Sequence, residues 1–123
     1  MPSRAAVTLV TGASPGARER AIFAALAARA QEDCKVAVIL EGLADASSPL
    51  APDSHLSVSR IAGGCLCCAG NLVLRVTLNR LLRLHPDRVL IGVGSSDHLD
   101  QLRSWLASPP YDQLLALAPD IHA

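Results

Sequence analysis

Aromatic side chains are almost missing from this chain: one Trp, one Tyr and one Phe in 123 residues. Charge of one sign is missing too, because eleven basic residues balance eleven acidic ones to a formal net charge of zero. A chain without stacking groups or a basic excess lacks both features by which nucleic acid is held, so no nucleic-acid partner is expected. No apolar window reaches the ~20 residues that a membrane-spanning helix needs, and no membrane partner is expected either. The N-terminal region has one early Arg and a short apolar run ending at Thr11-Gly12, which fits a first strand better than a signal peptide. A cytoplasmic location is the resulting expectation. There, cysteines are thiols, metal ligands or redox groups rather than structural disulfides.

What the chain does have is apolar aliphatic residue. Half of it is hydrophobic, mostly Ala, Leu and Val, enough for one domain with a core that needs no staples. Ala5 to Val10 and Lys35 to Leu40 are continuous apolar runs too short for helices and read as buried strands. His55 to Ile61 alternates as a third strand, and Arg88 to Val93 is a fourth. Between them, Arg18 to Ala30 is rich in helix formers, with Ile22, Phe23, Leu26 and Ala30 on one face and Arg18, Glu19 and Arg29 able to reach solvent. Leu74, Leu78, Leu81 and Leu82 form a second helical stripe, which leaves Arg75, Arg80 and Arg83 as a solvated face and is stopped by His85-Pro86-Asp87. Leu99, Leu102 and Leu106 line a third. Leu43 to Ser54 reads as a surface loop, and residues 111 to 123 as one more helical turn and a frayed end. This alternation predicts an α/β fold: a small, mostly parallel sheet of about four strands flanked by helices, in one domain spanning 1–123. A sheet that small leaves an edge for a partner, including a second copy of the chain.

The first strand-to-helix turn of such a fold is the usual phosphate site, because helix N-terminal amides point at the anion. A working phosphate loop reads GxxxxGK(S/T), with the Lys on the outer phosphates and the hydroxyl on Mg²⁺. Here the run is Gly12-Ala-Ser-Pro-Gly16-Ala-Arg18-Glu19. Arg18 stands at the Lys, Glu19 at the hydroxyl, and Pro15 removes an amide donor. Two readings stand side by side. One is a turn that no longer binds nucleotide; the other is weak phosphate or nucleotide binding through Gly12, Gly16 and Arg18. Neither provides a catalytic residue.

The densest chemistry is Gly63-Gly64-Cys65-Leu66-Cys67-Cys68, which holds three of the four cysteines within four residues. The glycines allow a tight backbone, and thiols at i, i+2 and i+3 of a turn can converge. Thiolates favour Zn²⁺ or Cu(I), and three of them fall one short of a closed tetrahedral set. Water, Glu41, His55 or a partner's side chain would complete it. A redox or reactive-thiol role and inert packing are the other readings of the same residues. Cys34 reads as an ordinary core thiol, and His85 and His98 as solvated or capping residues.

In this order the parts resemble the CobW-like metallochaperone GTPases (CobW/HypB/UreG type) of the P-loop class. That family runs through a TGFLGAGKTT-like loop, a strand ending in an NE-G motif, a GCxCC turn and a strand ending in an E-SG motif. This chain shows VTLVTGASPGARER, KVAVILEG, SRIAGGCLCC and DRVLIGVGSS, from about Ala5 to Leu106, with GGCLCC the most specific block. The resemblance implies a P-loop NTPase-like fold and a metal site at Cys65, Cys67, Cys68 and Glu41, with Zn²⁺ as the ion. It also implies a metal-receiving protein or a full-length relative as partner. The altered loop, and Gly92 where the family has an acidic residue, predict that GTP and Mg²⁺ chemistry is lost. The reading is thus a metal-binding module; the alternative is a GTP-binding protein with an altered loop, completed by oligomerisation.

Overall fold

The computed structural model describes residues 4–12, 14–27, 34–41, 50, 52–53, 55–61, 72–94 and 99–123. The elements in chain order are β1 (Ala5–Thr11), α1 (Pro15–Ala27), β2 (Val36–Glu41), β3 (Leu56–Ile61), α2 (Leu72–Leu82) and β4 (Arg88–Val93). They are followed by α3 (Leu99–Leu106), α4 (Tyr111–Leu114), β5 (Leu115–Leu117) and β6 (Ile121–His122). The strands form one sheet in the order β3-β2-β4-β1-β5, and β6 also pairs with β1. Every pairing is parallel. Parallel neighbours need crossover helices, which cover both faces of the sheet, and this is why the strands read as continuous apolar runs.

The two faces are distinct. Val10, Val38, Leu40 and Leu90 pack with Ile22 of α1 on one side. Val7, Leu9, Ile39 and Ile91 pack with Leu74, Leu78 and Leu81 of α2 and Leu102 and Leu106 of α3 on the other. Strand alternation does the sorting, since successive side chains point to opposite faces. Of the four-leucine stripe of α2, Leu74, Leu78 and Leu81 are buried as the spacing predicts and Leu82 is half-buried, while Arg75, Arg80 and Arg83 are exposed. The helix stops where His85 adopts a positive φ of 54° and Pro86 follows. Among the described residues no helix is long and apolar enough to cross a membrane.

Five expectations need correction. Residues 115–122 do not fray. They continue the sheet along β1 as two short strands, with the amide of Ala118 donating to Val7 O at 2.8 Å and that of Ala123 to Thr11 O at 2.6 Å. Pro119, which lacks an N–H, falls in the gap between them. Among the described residues the sheet therefore has six strands rather than about four. Phe23 is 48% exposed rather than in the core, because α1 buries its sheet-facing side through Ile22. Arg18 and Glu19, expected to reach solvent, are buried. Cys34 is half-buried at the sheet's other end, not a core thiol.

Candidate functional site

Because the strands run parallel and in register, their C-terminal ends share one edge. Thr11 pairs with Val93, Leu40 with Gly92, and Glu41 with Ile61. Open parallel sheets bind ligands outside this edge. Two sequence-derived sites lie at it, the first turn after β1 and Glu41 at the end of β2, and β3, which precedes the thiol motif in sequence, ends there too. Cys65, Cys67 and Cys68 lie outside the described residues, as does His98.

The first turn is tightly self-bonded. Ser14 caps α1: its Oγ accepts from the Ala17 amide at 3.1 Å, and its carbonyl accepts from the Arg18 amide at 3.1 Å. Pro15, in the first helical position, has no amide to leave unsatisfied. The Arg18 side chain folds back, and its Nη1 donates to Gly12 O at 2.9 Å. Gly12 and Arg18 are thus brought together, and a Cβ on Gly12 would lie 3.1 Å from Arg18 Cγ and 3.0 Å from Ala123 Cβ. Gly16 lies one residue into α1, beside the Arg20 guanidinium. Two of the amides that a phosphate loop aims at its ligand are therefore engaged by Ser14.

Glu19 is engaged as well. Its Oε1 accepts from Arg60 Nη2 at 2.9 Å and its Oε2 from Arg60 Nη1 at 3.3 Å. This is a two-bond fork between α1 and the penultimate residue of β3, with the carboxylate side chain only 4% exposed. Sequence reasoning missed the pair. The available signal was Glu19 itself, since a carboxylate on the buried side of a helix needs a cation, and Arg60 projects to the same face as Leu40, its cross-strand partner.

Glu41, half-buried at the end of β2, is held by its neighbour across the sheet. The Gly94 amide donates to Glu41 Oε2 at 2.9 Å. A carboxylate has about four lone-pair sites, so one amide bond orients it without saturating it. Thr11 Oγ1 and His122 Nδ1 form a further contact at this edge, at 2.7 Å, which no local pattern announces. His55 and His85 are exposed. Among the described residues no group of three or more His, Cys, Asp and Glu side chains could hold a metal ion. Away from the edge, Tyr111 donates to Asn79 Oδ1 at 2.8 Å and meets Trp105 edge-on at 5.0 Å between ring centroids. Burial pushes its phenol pKa up, while the Arg75 charge and the Asn79 bond pull it part of the way back.

The architecture is α/β, with a parallel sheet flanked by helices in a P-loop NTPase-like arrangement. Within that class, the chain is 39% identical over 69 residues to the zinc chaperone YeiR of Escherichia coli (strain K12). The matched stretch takes in 55% of this chain and 21% of that protein, so the chain spans about a fifth of the relative's length. No family model matches the chain, and no solved structure does at a significant level.

Proposed function

We propose that this chain is a zinc-binding module related to the CobW-like metallochaperone GTPases, holding Zn²⁺ as cargo through Cys65, Cys67, Cys68 and Glu41. The observation that carries the reading is the 39% identity to a zinc chaperone, in a chain that has three cysteines in a GGCLCC run. The donor set fits the ion: thiolates with one carboxylate are ordinary zinc ligands. Glu41 pairs in register with Ile61, and Cys65 follows four residues later, a tether of at most ~14 Å at the extended rise per residue. The Gly94 amide orients the Glu41 carboxylate at the edge where β3 also ends. A zinc-receiving protein or a full-length relative would be the partner.

Nucleotide hydrolysis is lost in this reading. Its support is the self-bonded first turn: Arg18 donates to the loop's own carbonyl, Ser14 takes two amides, and Glu19 replaces the Mg²⁺-holding hydroxyl with a buried carboxylate. The test is a zinc titration of reduced protein against a chromogenic chelator, with a Cys65→Ser/Cys67→Ser/Cys68→Ser variant beside it. The expected result is zinc binding that the triple variant loses. Equal binding by both overturns the metal site. Calorimetry with GTP and Mg²⁺ tests the other half, and micromolar binding that Arg18→Ala abolishes would favour the GTP-binding alternative.

A further inference from the structure

The Glu19–Arg60 pair has no role in the zinc reading as stated, yet its place in the fold is unusual. A buried carboxylate is costly unless it is paired, and even a well-paired buried ion pair often gains little over apolar residues of the same shape. Stability alone is therefore a weak reason for putting Glu at position 19. What the pair does do is mechanical. Arg60 is the penultimate residue of β3 and stands five positions before Cys65. It ties that strand end to the N-terminal half of α1 through two bonds. Its neighbour Ser59 faces the opposite side, where Arg80 Nη2 of α2 lies 3.4 Å from its hydroxyl. The segment carrying the thiols runs in sequence between β3 and α2, so these side chains fasten the elements on both sides of it.

The strand needs such ties. β3 is the terminal strand of the sheet path, and its first five residues are only half-buried, unlike β4, which is buried from Val89 to Val93. Backbone pairing to β2 fixes its register but leaves its outer side without a neighbour strand among the described residues.

We propose that Glu19 and Arg60 are positioning residues for the thiol motif. They link α1 directly to the strand that leads into the cysteines, so that the site keeps its geometry without a nucleotide. This rests on the zinc reading above. Groups that orient metal ligands from outside the coordination shell change metal affinity by about ten- to a hundredfold when removed. Glu19→Gln keeps the shape and removes the charge, and Arg60→Gln removes the cation. The expected result for each is zinc affinity reduced about tenfold or more, with the cobalt-substituted absorption bands altered. The exchanged pair Glu19→Arg/Arg60→Glu restores much of the loss. Ile22→Ala, which weakens the same helix's packing without touching the pair, is the stability control; it should lower the melting temperature and leave zinc affinity as it was.

Native zinc affinity in Glu19→Gln overturns the proposal, and so does a loss that simply follows melting temperature as in Ile22→Ala. If the native protein binds no more zinc than the triple cysteine variant, the zinc reading itself fails. The positioning role is then read from the alkylation rates of the cysteines in metal-free protein. A faster rate in Glu19→Gln than in the native protein supports it, and an unchanged rate overturns it.

Discussion

Replacing Gly94 by Ala is the sharpest probe of Glu41. An added Cβ would lie 2.9 Å from Glu41 Oε2, 3.1 Å from its Cδ and 3.3 Å from Oε1. All three contacts are to the end of one flexible side chain, so the carboxylate swings away and the backbone stays. The cost is the bond from the Gly94 amide, 2.9 Å long in the native protein. A hydrogen bond to a charged group contributes about 1.5–3 kcal/mol when dry. Gly94 is exposed and Glu41 half-buried, so water takes over much of it, and the net loss is about 1 kcal/mol. Equilibrium urea unfolding should show a lower midpoint with an unchanged slope, because the surface exposed on unfolding is the same. The zinc titration supplies the functional half. Displacing a ligand's carboxylate should weaken zinc binding about tenfold or more, and Glu41→Gln should do the same while keeping the Gly94 bond and most of the stability. A Gly94→Ala protein as stable as the native one refutes the contact. Native zinc affinity in both variants refutes Glu41 as a ligand.

Three further outcomes are expected. Ile22→Ala empties a fully buried site between α1 and Val10, Val38, Leu40 and Leu90, and should cost about 2–5 kcal/mol by denaturant titration. Phe23→Gln, one position along the same helix, should change stability by less than about 0.5 kcal/mol, since the ring is half in water. Tyr111 gives a pH signature. Its folded pKa is raised, so the folded state keeps a proton that the unfolded chain releases near pH ~10. Its contribution is full below that value and is lost as pH rises through it toward the folded pKa. Tyr111→Phe should therefore cost about 1 kcal/mol at neutral pH, for the bond to Asn79, and make the alkaline decline of the melting temperature shallower. An unchanged alkaline slope would show that the phenol is not shielded.

Much of the fold was legible because its signals are local. β4 runs over the residues its apolar run marks out, and the leucine stripe of α2 packs as its 3.6-residue spacing requires. The helix stop at His85-Pro86 needed only the chemistry of a proline. What failed to show was decided between distant segments. Phe23 and Ile22 are adjacent apolar residues on one helix, and only the angle at which α1 meets the sheet separates core from solvent. Residues 115–122 carry too short an apolar run to announce a strand, and they become one because β1 offers them a parallel edge.

The candidate site divides in the same way. The sequence by itself determined its chemistry: three thiols after a Gly-Gly pair, a carboxylate closing the second strand, and a first turn with Arg and Glu where a phosphate loop has lysine and a hydroxyl. Those are matters of residue type and spacing along the chain. Only the tertiary structure decided what the altered loop does with its charges. Arg18 turns back on Gly12, and Glu19, read from sequence as a solvated residue, pairs with Arg60 forty-one positions away. The physical reason is burial. Once α1 lies against the sheet, a charge on its inner side must find an opposite charge or a carbonyl within bonding distance, and which partner it finds depends on parallel pairing that no local pattern encodes.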